Sequence, residues 1–128
     1  MEGQRLHDHE MREAARAIVC ATDEMNSFNY IIEESQVRLG LACASVRGRI
    51  AEIGCALNVD GRRCGIGRAA VFRLMRNVLE RRSDVILLVA KTAANNIRAI
   101  NMLRRLGFKN DLPDLGAPAV CMQFSRRP

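Results

Sequence analysis

Along the first part of the chain apolar residues recur at helical spacing: Leu6, Met11, Ala14, Ala15, Ile18, Val19 and Met25. That period predicts one amphipathic helix over residues 4–24, broken at Asn26-Ser27. The pattern then changes. Residues 29–33 and 37–46 read as two strands joined by the polar turn Glu34-Ser35-Gln36, and Arg47-Gly48-Arg49 turns the chain into a third strand over 50–59. Residues 65–82 return to helical spacing, with Ile66, Ala69, Ala70, Met75, Val78 and Leu79 turned inward. Residues 85–89 form a nearly continuous apolar run, as expected of a strand buried on both faces. A third helix follows over 95–106, with Ile97, Ile100 and Leu103 inward and Gly107 as its stop. A Pro/Gly/Asp loop (111–118) and a last strand (119–124) complete the chain. The order α-β-β-β-α-β-α-β implies an α/β fold with a mixed sheet and helices on both faces, in a single domain over residues 1–128.

Composition narrows this picture. With 128 residues, 48% apolar but only 4% aromatic, the chain suits one core of aliphatic, Met and Cys side chains. A domain of this size buries roughly two thirds of its unfolded surface. No apolar run reaches the roughly 18 residues of a membrane span, and Met1-Glu2-Gly3-Gln4-Arg5 does not open a secretory leader. The expectation is a cytoplasmic protein. The five cysteines are odd in number and none are spaced C-x-x-C. That argues against disulfides or zinc and for a reducing compartment. His7 and His9 stand two apart on a helix pattern, on different faces, so they make a poor metal chelate.

Charge is placed unevenly. Residues 1–60 hold six Arg against ten Asp and Glu, whereas residues 61–128 hold fourteen Lys and Arg against four. A basic half can serve nucleic acid or an acidic cofactor. No nucleic-acid motif is readable, and no interleaved aromatics offer stacking surfaces. The cluster that asks for a ligand is Arg62-Arg63-Cys64-Gly65-Ile66-Gly67-Arg68, a glycine turn between an apolar strand and a helix. Glycines admit close backbone approach, the first helical N–H groups have no internal acceptor, and the helix dipole favours negative charge. A phosphate or pyrophosphate is the expected ligand. Cys64, among arginines at a helix start, is either a thiol favoured as thiolate or a small residue accommodated in a turn.

A second motif follows the next strand: Asn96-x-x-Ala99-x-x-x-Leu103-x-x-x-Gly107-Phe108. Together the two resemble the GNAT superfamily of N-acetyltransferases. That family pairs an Arg/Gln-x-x-Gly-x-Gly/Ala turn with a later Asn-x-x-Ala…Gly-Phe helix. Arg62, Gly65 and Gly67 match the first, and Asn96, Ala99, Gly107 and Phe108 match the second. The resemblance implies two central strands, ending near Val59 and Val89, that splay apart to admit acetyl-CoA. Backbone groups at Leu57, Asn58 and Val59 would then bond the pantetheine arm. The backbone from Arg62 to Arg68, through Arg63, Cys64 and Ile66, would hold the pyrophosphate. Asn96 would contact pantetheine, act as a helix N-cap, or do both.

The implied reaction is direct acyl transfer from the thioester to an amine. It requires a base for the amine, and Glu52 stands where some protein acetyltransferases of the superfamily carry one. A solvent-facing strand residue is the alternative for Glu52. The resemblance departs at Leu103, where much of the family has a tyrosine that protonates the leaving thiolate. The link from Val59 to Gly65 also looks short, and no first strand is evident. These departures leave open a degenerate GNAT fold used for binding or assembly, with or without bound acyl-CoA, and with a homodimer or protein partner on an unpaired sheet edge. The acidic N-terminal half suits a cationic amine or a protein N-terminus as acceptor.

Overall fold

The structure, a computed structural model, describes residues 18–23, 26–34, 36–58, 65–110 and 119–126. They form strands β1 (Ile18–Asp23), β2 (Ser27–Glu34), β3 (Val37–Arg47) and β4 (Ile50–Leu57), then helix α1 (Ile66–Arg81) and strand β5 (Leu87–Ala93). Helix α2 (Ile97–Arg105) and strands β6 (Lys109–Asn110) and β7 (Ala119–Ser125) complete them. All seven strands join one sheet in the order β1-β2-β3-β4-β5-β7-β6. Only β4 and β5 run parallel, and every other neighbouring pair is antiparallel. The sheet is therefore mixed, with α1 as the crossover between its two parallel strands.

The N-terminal expectation is corrected in part. Residues 18–23, read as the end of a helix, form β1 and pair antiparallel with β2 from Ile18↔Ile32 to Asp23↔Phe28, with a register shift between Ile18 and Cys20. The run Ile-Val-Cys-Ala-Thr fits either period, and ladder partners along β2 decide it. The sheet thus has the first strand the sequence did not reveal, and β2 is not an edge. Residues 1–17, where the rest of that helix and the His7–His9 segment fall, lie outside the described residues. β6 is also new; two residues are too few to leave a periodic signal.

One sheet face carries the core. Phe28, Tyr30 and Ile32 of β2 lie there with Ala42, Ala44 and Val46 of β3, Ala51 and Ile53 of β4, and Leu88 and Ala90 of β5, all buried. Helix α1 covers this face with Ile66, Ala70, Val71, Leu74, Met75 and Val78. The sequence reading had not placed Val71 and Leu74 inward. The Tyr30 hydroxyl accepts a hydrogen bond from Asn77 Nδ2 of α1, which ties helix to sheet. Helix α2 adds Ile100 and Leu103, followed by Leu106 and Phe108, to the same cluster. Ile97, read as inward, is 61% exposed, because it stands in the first turn of α2, beyond the contact with the core.

Both helices end as their residues dictate. Gly107 (φ 100) lets the chain reverse after α2, and the Phe108 N–H reaches the Leu103 carbonyl at 2.9 Å. At the end of α1, Arg126 Nη2 donates to the carbonyls of Leu79 (2.8 Å) and Arg82 (3.1 Å), while its Nε donates to Val85 O (2.8 Å). A cation thereby satisfies carbonyls the helix cannot.

Candidate active site

The two parallel strands pair only from Ile50↔Leu87 to Ile53↔Ala90. Beyond that row β4 continues on β3 as far as Leu57, and β5 continues on β7 as far as Ala93. The strands part at their C-terminal ends and leave a wedge. Among the described residues each bordering strand has one partner there, so its other row of peptide groups faces the opening. The splay implied by the sequence resemblance is present.

Which groups face it follows from the register. The Asn58 N–H donates to Leu39 O at 2.8 Å, and the Asn58 side chain donates to Arg38 O at 2.6 Å. Asn58 is therefore turned to β3. By alternation the main-chain groups of Cys55 and Leu57 point toward β5. Cys55 was not among the residues singled out from the sequence; only strand phase distinguishes it, and phase needs the pairing. Val59, Arg62, Arg63 and Cys64 lie outside the described residues, as does the link judged short.

Above the wedge α1 begins. Gly65, its N-cap, is left-handed (φ 70, ψ 14) and no side chain among the described residues caps the helix, so its first N–H groups are turned outward from the helix body. Gly67 is buried, and a β-carbon on it would meet Leu57 Cδ1 at 2.7 Å and Met102 Sδ at 3.7 Å. Here strand β4, α1 and α2 approach one another, with the tip of the Leu57 side chain set against Gly67. Arg68 is half-buried beside them, with its Nε enclosed. At the start of α2, the Asn96 Oδ1 accepts from the Ala99 N–H at 3.1 Å. The N-cap role is realised, and the side-chain amide N–H groups remain to face a ligand.

Glu52 is exposed, on the sheet face opposite α1 and α2. Strand pairing sets it in a row with Ser45, Val89, Gln123 and Lys109. That row stands at the last stretch of β4–β5 pairing, just below the wedge. Lys91, the first residue of β5 past the paired stretch, is exposed on the same face. Cys55, although exposed as a residue, is crowded enough that burial, and second the nearby Cys43, push its thiol up to about 11. Cys43 and Cys121, half-buried, are free thiols like Cys55. Among the described residues no three His, Cys, Asp or Glu side chains gather as for a metal ion, and no helix is long and apolar enough to cross a membrane.

Residues 3–108 match the Acetyltransferase (GNAT) family. The chain belongs to that family, and with it to the acyltransferase enzymes. Among solved structures it is similar to a ribosomal-protein-alanine N-acetyltransferase from Brucella melitensis, at 22% identity and TM-score 0.66. The match covers 78% of this chain and 69% of that one. The Campylobacter jejuni N-acetyltransferase PseH, solved with acetyl coenzyme A, matches at 11% identity and TM-score 0.65, over 81% of this chain and 71% of that one. A spermidine N-acetyltransferase variant from Vibrio cholerae matches at 14% and 0.65, over 78% of this chain and 66% of that one. At these identities the likeness is one of fold. None of the curated protein sequences is a significant match.

Proposed function

We propose that this GNAT-family chain is an N-acetyltransferase that moves an acetyl group from acetyl-CoA directly to a primary amine. The observation that carries this is the wedge between β4 and β5, beneath a helix that opens on a left-handed glycine without a side-chain cap among the described residues. A pantetheine arm needs an extended slot edged by peptide groups, and a pyrophosphate needs outward N–H groups at a helix start. Both stand here side by side.

In this reading Leu57 and Cys55 offer main-chain groups to the pantetheine arm, joined by Val59. The backbone of Arg62, Arg63, Cys64, Gly65, Ile66, Gly67 and Arg68 holds the pyrophosphate, and Asn96 contacts the arm with its free amide. An N–H of β4 polarises the thioester carbonyl as negative charge develops on its oxygen. Glu52, directly or through a water, takes the proton of the attacking amine, an effect worth roughly 10²–10⁴ in rate. The thiol of Cys55, pushed up to about 11, stays protonated near neutral pH. It is thus unsuited to accept the acyl group, so a covalent relay through Cys55 is disfavoured.

The acceptor is drawn as a small cationic amine or a protein amino group. Two of the fold neighbours bear names that call for such acceptors, ribosomal-protein alanine and spermidine, and the acidic first half of this chain suits a cation. The alternative, a degenerate GNAT-fold binding protein, retains Leu103 as its argument but loses the unpaired β2 edge to β1. Calorimetric titration with acetyl-CoA, with dephospho-CoA as comparison, is the first test. It is followed by thiol release with a panel of polyamines and peptide N-termini. Micromolar binding with turnover is expected. A folded protein that binds acetyl-CoA but acetylates nothing in the panel would leave the binding reading; no binding at millimolar concentration would sink the acetyltransferase reading and leave an assembly role without acyl-CoA.

A further inference from the structure

We infer that Lys91 is the proton donor to the leaving thiolate of CoA, taking on from the opposite sheet face the role that Leu103 cannot perform. This rests on the acetyl-CoA reading above.

Transfer to an amine ends when the C–S bond breaks, and the sulfur must then be neutralised. Leu103 has no proton to give and is 4% exposed within the core. Tyr30 is 1% exposed and bonded to Asn77 of α1, so it does not reach the wedge. Lys91 occupies a different position. The last β4–β5 pair is Ile53↔Ala90, and Lys91 is the next residue of β5, held in place by its antiparallel partner Cys121. It therefore stands on the rim of the wedge, where the strands part and where the thioester of an inserted donor would end. Strand alternation sets it on the face of Val89 and Glu52. It is exposed, and neither Lys91 nor Glu52 makes an ion pair with another described residue.

A carboxylate and an ammonium thus flank one opening from adjacent strands. Cys55 and Thr92 also border the wedge, but alternation sets their side chains on the opposite face, and neither brings positive charge. An ammonium both stabilises the developing thiolate and carries the proton it needs.

The step balances. The amine nitrogen bonds to the acyl carbon while its proton passes to Glu52. The tetrahedral intermediate then collapses, the C–S electron pair leaves with sulfur, and Lys91 gives that sulfur a proton. The products are the acetamide and CoA thiol; the proton on Glu52 returns to Lys91 through solvent. No oxidant or further reactant is involved.

The test is Lys91→Ala in the full chain, with acetyl-CoA affinity, melting temperature and kcat measured together. The expected result is a loss of about 10²-fold in kcat, with affinity and melting temperature near those of the parent. Added trimethylammonium, which can donate a proton but cannot be acetylated, is expected to restore part of kcat. Tetramethylammonium, which carries the charge without a proton, is expected not to. Unchanged kcat in an active protein, or equal rescue by both ions, would overturn the assignment. A parent protein without any turnover would instead refute the acetyltransferase reading beneath it.

Discussion

Gly67 lies so close to Leu57 that a β-carbon on it would stand 2.7 Å from Leu57 Cδ1. The contact joins the start of α1 to the end of β4, the two pieces that border the proposed donor slot. Because the obstructing atom is the tip of a side chain, Gly67→Ala can be accommodated by moving Leu57, and alanine favours the helix by up to about 1 kcal/mol. The expected outcome is unchanged or slightly raised stability with acetyl-CoA binding weakened roughly tenfold, about 1.4 kcal/mol. A thermal melt and a calorimetric titration on one sample separate the two effects.

Glu52 is exposed and lies just below the wedge, on the face away from both described helices. Glu52→Gln removes its basicity while keeping its size. It is expected to lower kcat by roughly 10²–10⁴ and to leave acetyl-CoA affinity within about twofold, since the carboxylate is assigned to the amine. Steady-state kinetics against the acceptor, beside a donor titration, check this; an equal loss in donor affinity would assign Glu52 to the donor side.

Arg126 bonds the carbonyls of Leu79, Arg82 and Val85. Arg126→Met keeps much of the aliphatic stem but leaves those carbonyls without the cation. Bonds to a charged donor are worth about 1.5–3 kcal/mol, so a loss of about 2–3 kcal/mol in unfolding free energy is expected by urea denaturation.

For Cys55, burial and Cys43 push the thiol up to about 11 from an ordinary 9.0. A folded value above the unfolded one means the native state holds its proton more tightly. That contribution to stability is complete below pH 9 and is lost as pH rises toward 11. Near pH 8 the thiolate fraction is on the order of one in a thousand, so Cys55 is expected to alkylate far more slowly than an unfolded cysteine. Peptide mapping after timed iodoacetamide treatment reads this directly; modification at the unfolded rate would contradict the shift.

Much of this was legible in the sequence because glycine and asparagine leave strong local marks. The glycine turn that opens α1 at Gly65, Gly107 as a helix stop and Asn96 as an N-cap each follow from short-range stereochemistry, whereas the left-handed N-cap conformation of Gly65 came only with the structure. The α1 and α2 positions read as core were mostly right for the same reason. What escaped depends on partners distant in sequence. Residues 18–23 have a period that fits a helix and a ladder that makes them a strand. Cys55 and Lys91 acquire meaning only once the β4–β5 pairing is known to stop at Ile53↔Ala90. Neither residue belongs to a motif; both are marked by where the sheet opens.

Leu103 tests how the lost tyrosine and Lys91 relate. Its side chain is in the core cluster, so Leu103→Tyr inserts a ring into packed space at a cost of about 1–3 kcal/mol. In the parent background, with Lys91 in place, the added hydroxyl is expected to change kcat less than tenfold. In the Lys91→Ala background it is expected to recover part of the lost turnover, whereas Leu103→Phe, of similar size but without the hydroxyl, recovers none. Such a dependence of one substitution on the other is the signature of two groups serving one proton. Additive effects in the double variants, measured by kcat at saturating donor, would show that the two positions serve different steps.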